Sequence, residues 1–328
     1  MPAKRRFLAH LAGAAAFTAG VISAGGVASA ASGTFQTPAY PGDFPDPTVI
    51  LVGATYWAYA TGSGGTNLQV MSSPDLKSWS PPSDPLPTLP AWASPGLTWA
   101  PDVVEIEGSF VMYYTVRDPA LGMQCISVAT ATSPGGPFSD RSTGPLICQT
   151  GDGGSIDPTP YVDLSSGNRY LIWKSDDNSI GKTTHIWGQA LAPGGLSVAP
   201  GTSPALLLSQ SASWQTPAIE GPALVRDGTT YYLFYGANYW NSASSGIGYA
   251  TSKSLLGSYA NQSRYGPWRG STGNATGPQG PTVFTDVNGV SRMGFAAWSG
   301  AVGYQSGGVR ALWVGTLSFS RFGTPALT

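Results

Sequence analysis

Apolar residues along this chain recur in short alternating or aromatic runs, each cut off within about ten residues by Gly, Pro, Ser or Asp. Runs of this length and period predict β-strands, and no stretch beyond the first thirty residues keeps the 3.6-residue period of an amphipathic helix. The runs are themselves repeated: the same three parts follow one another five times. The first part sets a carboxylate or amide beside a turn-forming Pro or Gly and opens a short apolar stretch. It reads Asp46-Pro47 in DFPDPTVI, Pro101-Asp102 in TWAPDVVEIEG, Asp157-Pro158 in GSIDPTPYVD, Glu220-Gly221-Pro222 in AIEGPALVRD, and Gln279 in TGPQGPTVFTDVNG. An aromatic run follows, over 54–63, 109–118, 169–177, 230–238 and 293–300. An alternating run into a polar turn ends each unit, over 68–79, 126–138, 186–196, 247–259 and 311–323. A fourth strand in each unit fits between that turn and the next acid.

Starts at 46, 102, 157, 220 and about 279 mark a repeat of roughly sixty residues. Five such units predict an all-β, five-bladed β-propeller with four-stranded antiparallel blades around a central channel. A β-sandwich has no reason for five-fold periodicity, and β-helix repeats are much shorter. In a propeller the strand after each acid is the innermost, so Asp46, Asp157 and Glu220 converge on one channel mouth from three blades. With no linker and no shift in composition, residues 31–328 read as one domain.

Composition narrows the setting. The chain opens with Lys4, Arg5 and Arg6, an Ala-rich apolar run and Ala28-Ser29-Ala30, which reads as a secretory signal peptide over 1–30. The protein is therefore expected to be secreted, with no membrane association after cleavage. Charged residues make up only 10% of the chain and the net charge is −1, which offers nucleic acid or an anionic surface no attraction. Many Trp and Tyr with few charges suit a neutral ligand with apolar faces, such as a sugar. The two cysteines, Cys125 and Cys148, read as one disulfide in an exported chain. With His10 in the leader and His185 alone, they give no metal-ligand spacing.

Two carboxylates flanking a glycosidic bond are the equipment of a glycoside hydrolase, one protonated to donate to the leaving oxygen and one ionised to act on water. A third separates their pKa values by like-charge repulsion. Glu reaches further than Asp, so Glu220 is the natural acid and Asp46 the natural base. Each motif taken singly is ordinary turn chemistry; three at one phase of a repeat are not. Asp43 falls outside the phase and reads as a turn or rim residue. A propeller lectin is the alternative from another class, but a lectin would repeat one binding site per blade, whereas these acids differ in type and the fifth unit has none.

The motifs PDPTVI, WAPDVV, SIDPTPYVD, EGPALVRDGTTYYLFY and GYATSKSLLGSY together resemble glycoside hydrolase family 43 over essentially the whole chain after residue 30. The resemblance implies a five-bladed propeller that hydrolyses arabinose- or xylose-containing polysaccharides and oligosaccharides with inversion. It implies Asp46 as general base, Glu220 as general acid, Asp157 as the residue that tunes and orients the acid, and Arg310 as a ligand of sugar hydroxyls and of the acids. The expected activity is that of an α-L-arabinofuranosidase or exo-arabinanase; endo-arabinanase, β-xylosidase and galactofuranosidase share the scaffold. Many members carry Gly-His in the fifth unit near a channel calcium. Here that stretch is GPQGPTVF with Gln279, and His185 belongs to the third unit, which argues against such a calcium; the mechanism requires no cofactor. Trp99 either stacks on a sugar at the mouth or packs in the core, and Phe44, Trp173 and Tyr239 are similar candidates. Asp102 bounds the pocket or caps a turn. A monomer is expected.

Overall fold

The computed structural model describes residues 33–328; the signal-peptide expectation for residues 1–30 lies outside them. Five antiparallel sheets follow one another along the chain. The first holds β1 (Thr48–Val52), β2 (Thr55–Thr61) and β3 (Leu68–Ser73). The second holds β4 (Ser94–Ile106), β5 (Ser109–Asp118) and β6 (Met123–Ala131). The third holds β7 (Ser155–Val162), β8 (Arg169–Ser175), β9 (His185–Leu191) and β10 (Ala205–Ser209). The fourth holds β11 (Ile219–Asp227), β12 (Thr230–Ala237), β13 (Gly246–Ser252) and β14 (Ala260–Asn261). The fifth holds β15 (Thr276–Thr285), β16 (Ser291–Ser299), β17 (Val309–Phe319) and β18 (Pro325–Leu327). The first strands of the sheets touch in a closed cycle, β1–β4–β7–β11–β15–β1, which makes the molecule a five-bladed propeller.

The core is divided among the five blade interfaces. Residues of neighbouring blades form one buried cluster at each junction, including the junction of the fifth blade with the first, where Phe284 and Leu312 meet Phe44, Val49 and Tyr56. Each blade is therefore covered on both faces, and alternate residues of one strand serve different junctions. In β12, Tyr232 and Phe234 pack toward the fifth blade, while Tyr231, Leu233 and Tyr235 pack toward the third. That is why the aromatic runs are nearly continuous rather than alternating apolar with polar.

Two blades depart from the expected four strands. After β3 the chain carries Pro81, Pro82, Pro85, Pro87 and Pro90, which lack the N–H a ladder needs, and a single bridge, Val70 to Ser83, stands in for the fourth strand. After β6 a Gly- and Pro-rich segment makes isolated bridges to it, Thr130–Ser139, Ile126–Ile147 and Gln124–Gly154, instead of a strand. The Cys125–Cys148 disulfide is formed and joins β6 to the end of that segment.

The ring is closed by the start of the described chain. Tyr40 pairs with Leu312 of β17, the Phe44 amide donates to the Arg310 carbonyl (2.8 Å), and the Gly33 amide donates to the Leu327 carbonyl (3.0 Å). The buried Arg269 guanidinium donates to the carbonyls of both Gly33 and Leu327, pinning the two termini of the ring together.

Candidate active site

Every innermost strand enters the channel through the same irregularity. The residue before a proline takes a left-handed backbone: Asp46 (φ 52°), Ala100 (44°), Asp157 (55°), Gly221 (55°) and Gly280 (55°). In the second to fifth blades the ladder shifts register across that residue, as in a β-bulge, and β1 begins two residues after its own. These five positions are the true phase of the repeat. Glu220 and Gln279 lie one residue before it. The counterpart of Asp46 in the second blade is Ala100, so the alignment on Asp102 is corrected by two residues.

The bulges crowd together at the axis. A Cβ on Gly280 would lie 3.3 Å from the Asp46 Cα, and one on Gly221 would lie 3.1 Å from the Gly280 Cα. Asp46, Asp157 and Glu220 are thereby brought from three blades to one cavity of about 580 Å³, which Trp99, Lys174 and Arg310 also line. Asp46 is held at both oxygens: Arg310 Nη2 donates to Oδ1 (2.7 Å) and the Thr61 hydroxyl donates to Oδ2 (2.7 Å). Burial works against the Arg310 charge, but Asp46, Tyr304 and Glu220 outweigh it and raise its pKa. Asp157 accepts the Gly221 amide at Oδ2 (2.8 Å). Burial, together with the charge of Glu220, raises its pKa to about 7. Burial raises Glu220 as well; Lys174, whose Nζ is 3.8 Å from Oε2, opposes this, and Asp46 reinforces it.

The remaining candidates divide. Phe44 and Trp173 are fully buried core residues: Phe44 packs at the first–fifth junction, and the Trp173 indole N–H donates to Gln149. Neither reaches the cavity. Asp102 faces a different part of the channel, accepting from the Thr159 hydroxyl (3.0 Å), and lines a second cavity with Val49, Leu224 and Asp286. Tyr239 is exposed and outside the lining, whereas its neighbour Trp240 is part of it. Asp43 also lines the cavity and accepts the Arg310 amide (3.3 Å). The Gln279 side chain donates to the carbonyls of Ala237 and Asn238, each at 3.3 Å. His185 sits against Asp177 in the third blade. Among the described residues no three His, Cys, Asp or Glu side chains gather as metal ligands.

The family model for Glycosyl hydrolases family 43 matches residues 35–311, from the closing segment of the ring to β17. This chain belongs to that family. The family-43 chain is 26% identical over 243 residues to the Beta-D-galactofuranosidase xynD of Aspergillus niger, covering 68% of this chain and 65% of that protein, just under two thirds of its length. It is 27% identical over 233 residues to the extracellular endo-alpha-(1->5)-L-arabinanase 1 of Bacillus subtilis, covering 66% of this chain and 68% of that one. Among solved structures it is similar to an endo-1,4-beta-xylanase of Bacteroides thetaiotaomicron, with 26% identity and a TM-score of 0.75 over 90% of this chain and 97% of that one. A thermostable family-43 glycoside hydrolase shares the fold, with a TM-score of 0.77 over 87% of this chain and 93% of that one.

Several cavity residues of the family-43 chain were not among those expected, Thr61, Lys174, Trp240 and Tyr304 among them. Lys174 carried a signal, since a lysine inside the run RYLIWKS has to be buried with a partner; it is 1% exposed and bonds Asp176 Oδ1 at 3.2 Å. Thr61 and Tyr304 lie at strand and turn ends, where sequence gives no facing.

Proposed function

We propose that this protein is a secreted, inverting glycoside hydrolase acting on arabinofuranosyl linkages of plant-type polysaccharides, as an α-L-arabinofuranosidase or exo-arabinanase. The observation that carries the reading is the unequal treatment of carboxylates in one cavity. Asp46, held at one oxygen by the buried Arg310 and at the other by the Thr61 hydroxyl, is placed to act as base. Glu220, raised by burial, is equipped to hold a proton and act as acid. In the proposed step, water attacks the anomeric carbon and gives its proton to Asp46. The glycosidic C–O bond breaks as its oxygen takes the proton from Glu220. Asp157 beside Glu220 sets when that proton is held. No step is routed through a metal.

The furanose preference rests on relatives: both curated proteins named above, and an extracellular exo-alpha-(1->5)-L-arabinofuranosidase of Cellvibrio japonicus at 28% identity, are named for furanosides or arabinan. The xylanase likeness keeps xylosides as the second substrate class. Export is supported by the basic, Ala-rich start of the sequence, by relatives named as extracellular, and by the disulfide.

Asp46→Asn and Glu220→Gln should each lower hydrolysis of arabinan by about 10²–10⁴-fold in a folded protein. Glu220→Gln should retain more activity on a nitrophenyl arabinofuranoside, whose leaving group needs less protonation. Proton NMR in the first minutes of wild-type hydrolysis should show the anomer opposite to the bond cleaved. A retained anomer would make one carboxylate a nucleophile and overturn the assignment.

A further inference from the structure

Arg310, the cation on Asp46, is held in turn by a side chain with no place in the reaction above. The Trp240 indole lies under it, with the guanidinium carbon 5.4 Å from the ring centroid. Trp240 belongs to the loop after β12 in the fourth blade, yet its contacts are in the fifth. It stacks on the buried Trp298 (6.1 Å, 25°) and meets Tyr304 at 6.0 Å. The Trp298 indole N–H donates to the Trp240 carbonyl (3.0 Å). Two residues upstream, Asn238 takes φ 78°, and the buried Gln279 amide fastens the carbonyls of Ala237 and Asn238. Gly236 makes room for this, because a Cβ there would fall 2.3 Å from the Gln279 Oε1. In the fifth blade the position that carries the acid in the fourth is thus occupied by an amide that fixes the Trp240 loop.

We propose that Trp240 is a positioning residue of the reaction: its indole holds the Arg310 guanidinium in register with Asp46. This rests on the assignment of Asp46 as the base. A planar guanidinium over an indole gains both cation–π attraction and stacking, which an ammonium at the same place does not reproduce. Arg310 has the freedom of a long side chain, and its partner Asp46 is fixed by the bulge; the indole removes that freedom on the cavity side. The cavity-facing alternative is that Trp240, 41% exposed, serves as a platform for the sugar itself.

A double-mutant cycle separates the two. Trp240→Ala, Trp240→Phe, Arg310→Lys and Trp240→Ala/Arg310→Lys are compared with wild type for kcat and KM on a nitrophenyl glycoside that the wild type hydrolyses, with thermal melts to confirm folding. Trp240→Ala should lower kcat about ten-fold with KM changed less than about two-fold, and Trp240→Phe should recover most of it. On the Arg310→Lys background, Trp240→Ala should cost less than about two-fold more, because the planar guanidinium that the indole holds in register is already gone. Losses that multiply across the cycle, or a loss confined to KM, would make Trp240 a sugar platform and overturn the proposal. Asp46→Asn run alongside identifies which reading has failed: wild-type activity there removes the base assignment and the inference with it, whereas an inactive Asp46→Asn with multiplying losses removes the inference alone.

Discussion

Burial penalises the anions of both Asp157 and Glu220, and like charge adds to it, from Glu220 at Asp157 and from Asp46 at Glu220. For Asp157 the folded-state pKa of about 7 lies above the ordinary carboxylate value of about 4. The stability this group contributes is therefore present at acid pH and is lost as pH rises toward and through 7. The difference in melting temperature between Asp157→Asn and wild type should move in favour of the variant from pH 5 to pH 8; a constant difference would show that the carboxyl does not titrate there. Over the same range the hydrolytic rate should fall on the alkaline side, as the acid of the pair gives up its proton. At this scale the sequence was legible as to residue type and poorly legible as to facing. Phe44, Trp173 and Tyr239 each drew attention as aromatics, and each stands one residue from the side chain that lines the cavity: Asp43, Lys174 and Trp240. Neighbours on extended chain point to opposite sides, so a phase error of one exchanges cavity for core or solvent.

The element that makes the site is the bulge. Asp46 and Asp157 occupy a backbone region that costs a non-glycine residue of order 1–3 kcal/mol, and the same turn recurs in all five blades whether or not it bears an acid. Ala100 tolerates it in the second blade, so the glycines at 221 and 280 answer to crowding as well as to φ. Gly280→Ala should therefore do more than Gly53→Ala. Gly53, in the open β1–β2 turn at φ 61°, has nothing within 4 Å of an added Cβ, and that variant should lose about 1 kcal/mol of stability with kcat unchanged. At position 280 the new methyl meets the Asp46 backbone, and melts together with kcat should show both properties falling. Equal kcat for the two variants would mean that Asp46 does not depend on the ring around it. The repeat itself was readable because each bulge leaves a proline behind. Its exact phase was not, because in the second blade the acid nearest that proline, Asp102, follows it and faces elsewhere in the channel. The missing fourth strand of the first blade is legible in the prolines at 81–90, but a proline-rich segment shows only that a ladder is interrupted, and the single bridge that survives depends on the neighbouring strand.

In the whole molecule, five interfaces of similar construction are stabilised by burial, but only the one between the fifth blade and the first lacks a covalent connection from one blade to the next. Arg269, which follows β14 and packs on Phe35 beside the fourth–fifth junction, holds the closing segment from the other side by bonding Gly33 and Leu327 together. Arg269→Ala should lower stability by about 2–4 kcal/mol, as expected for buried bonds from a charged donor, and thermal melts should show it while activity at low temperature persists. An unchanged melt would place the hold on the closing segment in its backbone pairing, Gly33 with Leu327 and Tyr40 with Leu312, instead. The seam also sets an order in time. Asp46 is among the first residues of the folded part to be synthesised, and its partner Arg310 comes 264 positions later. Until β17 exists, Tyr40 and Phe44 have nothing to pair with, and the proposed base has no cation beside it. On the proposed roles, a chain arrested anywhere earlier lacks the cation its base requires. On those roles, catalytic competence waits for the newest part of the polypeptide to reach back to the oldest.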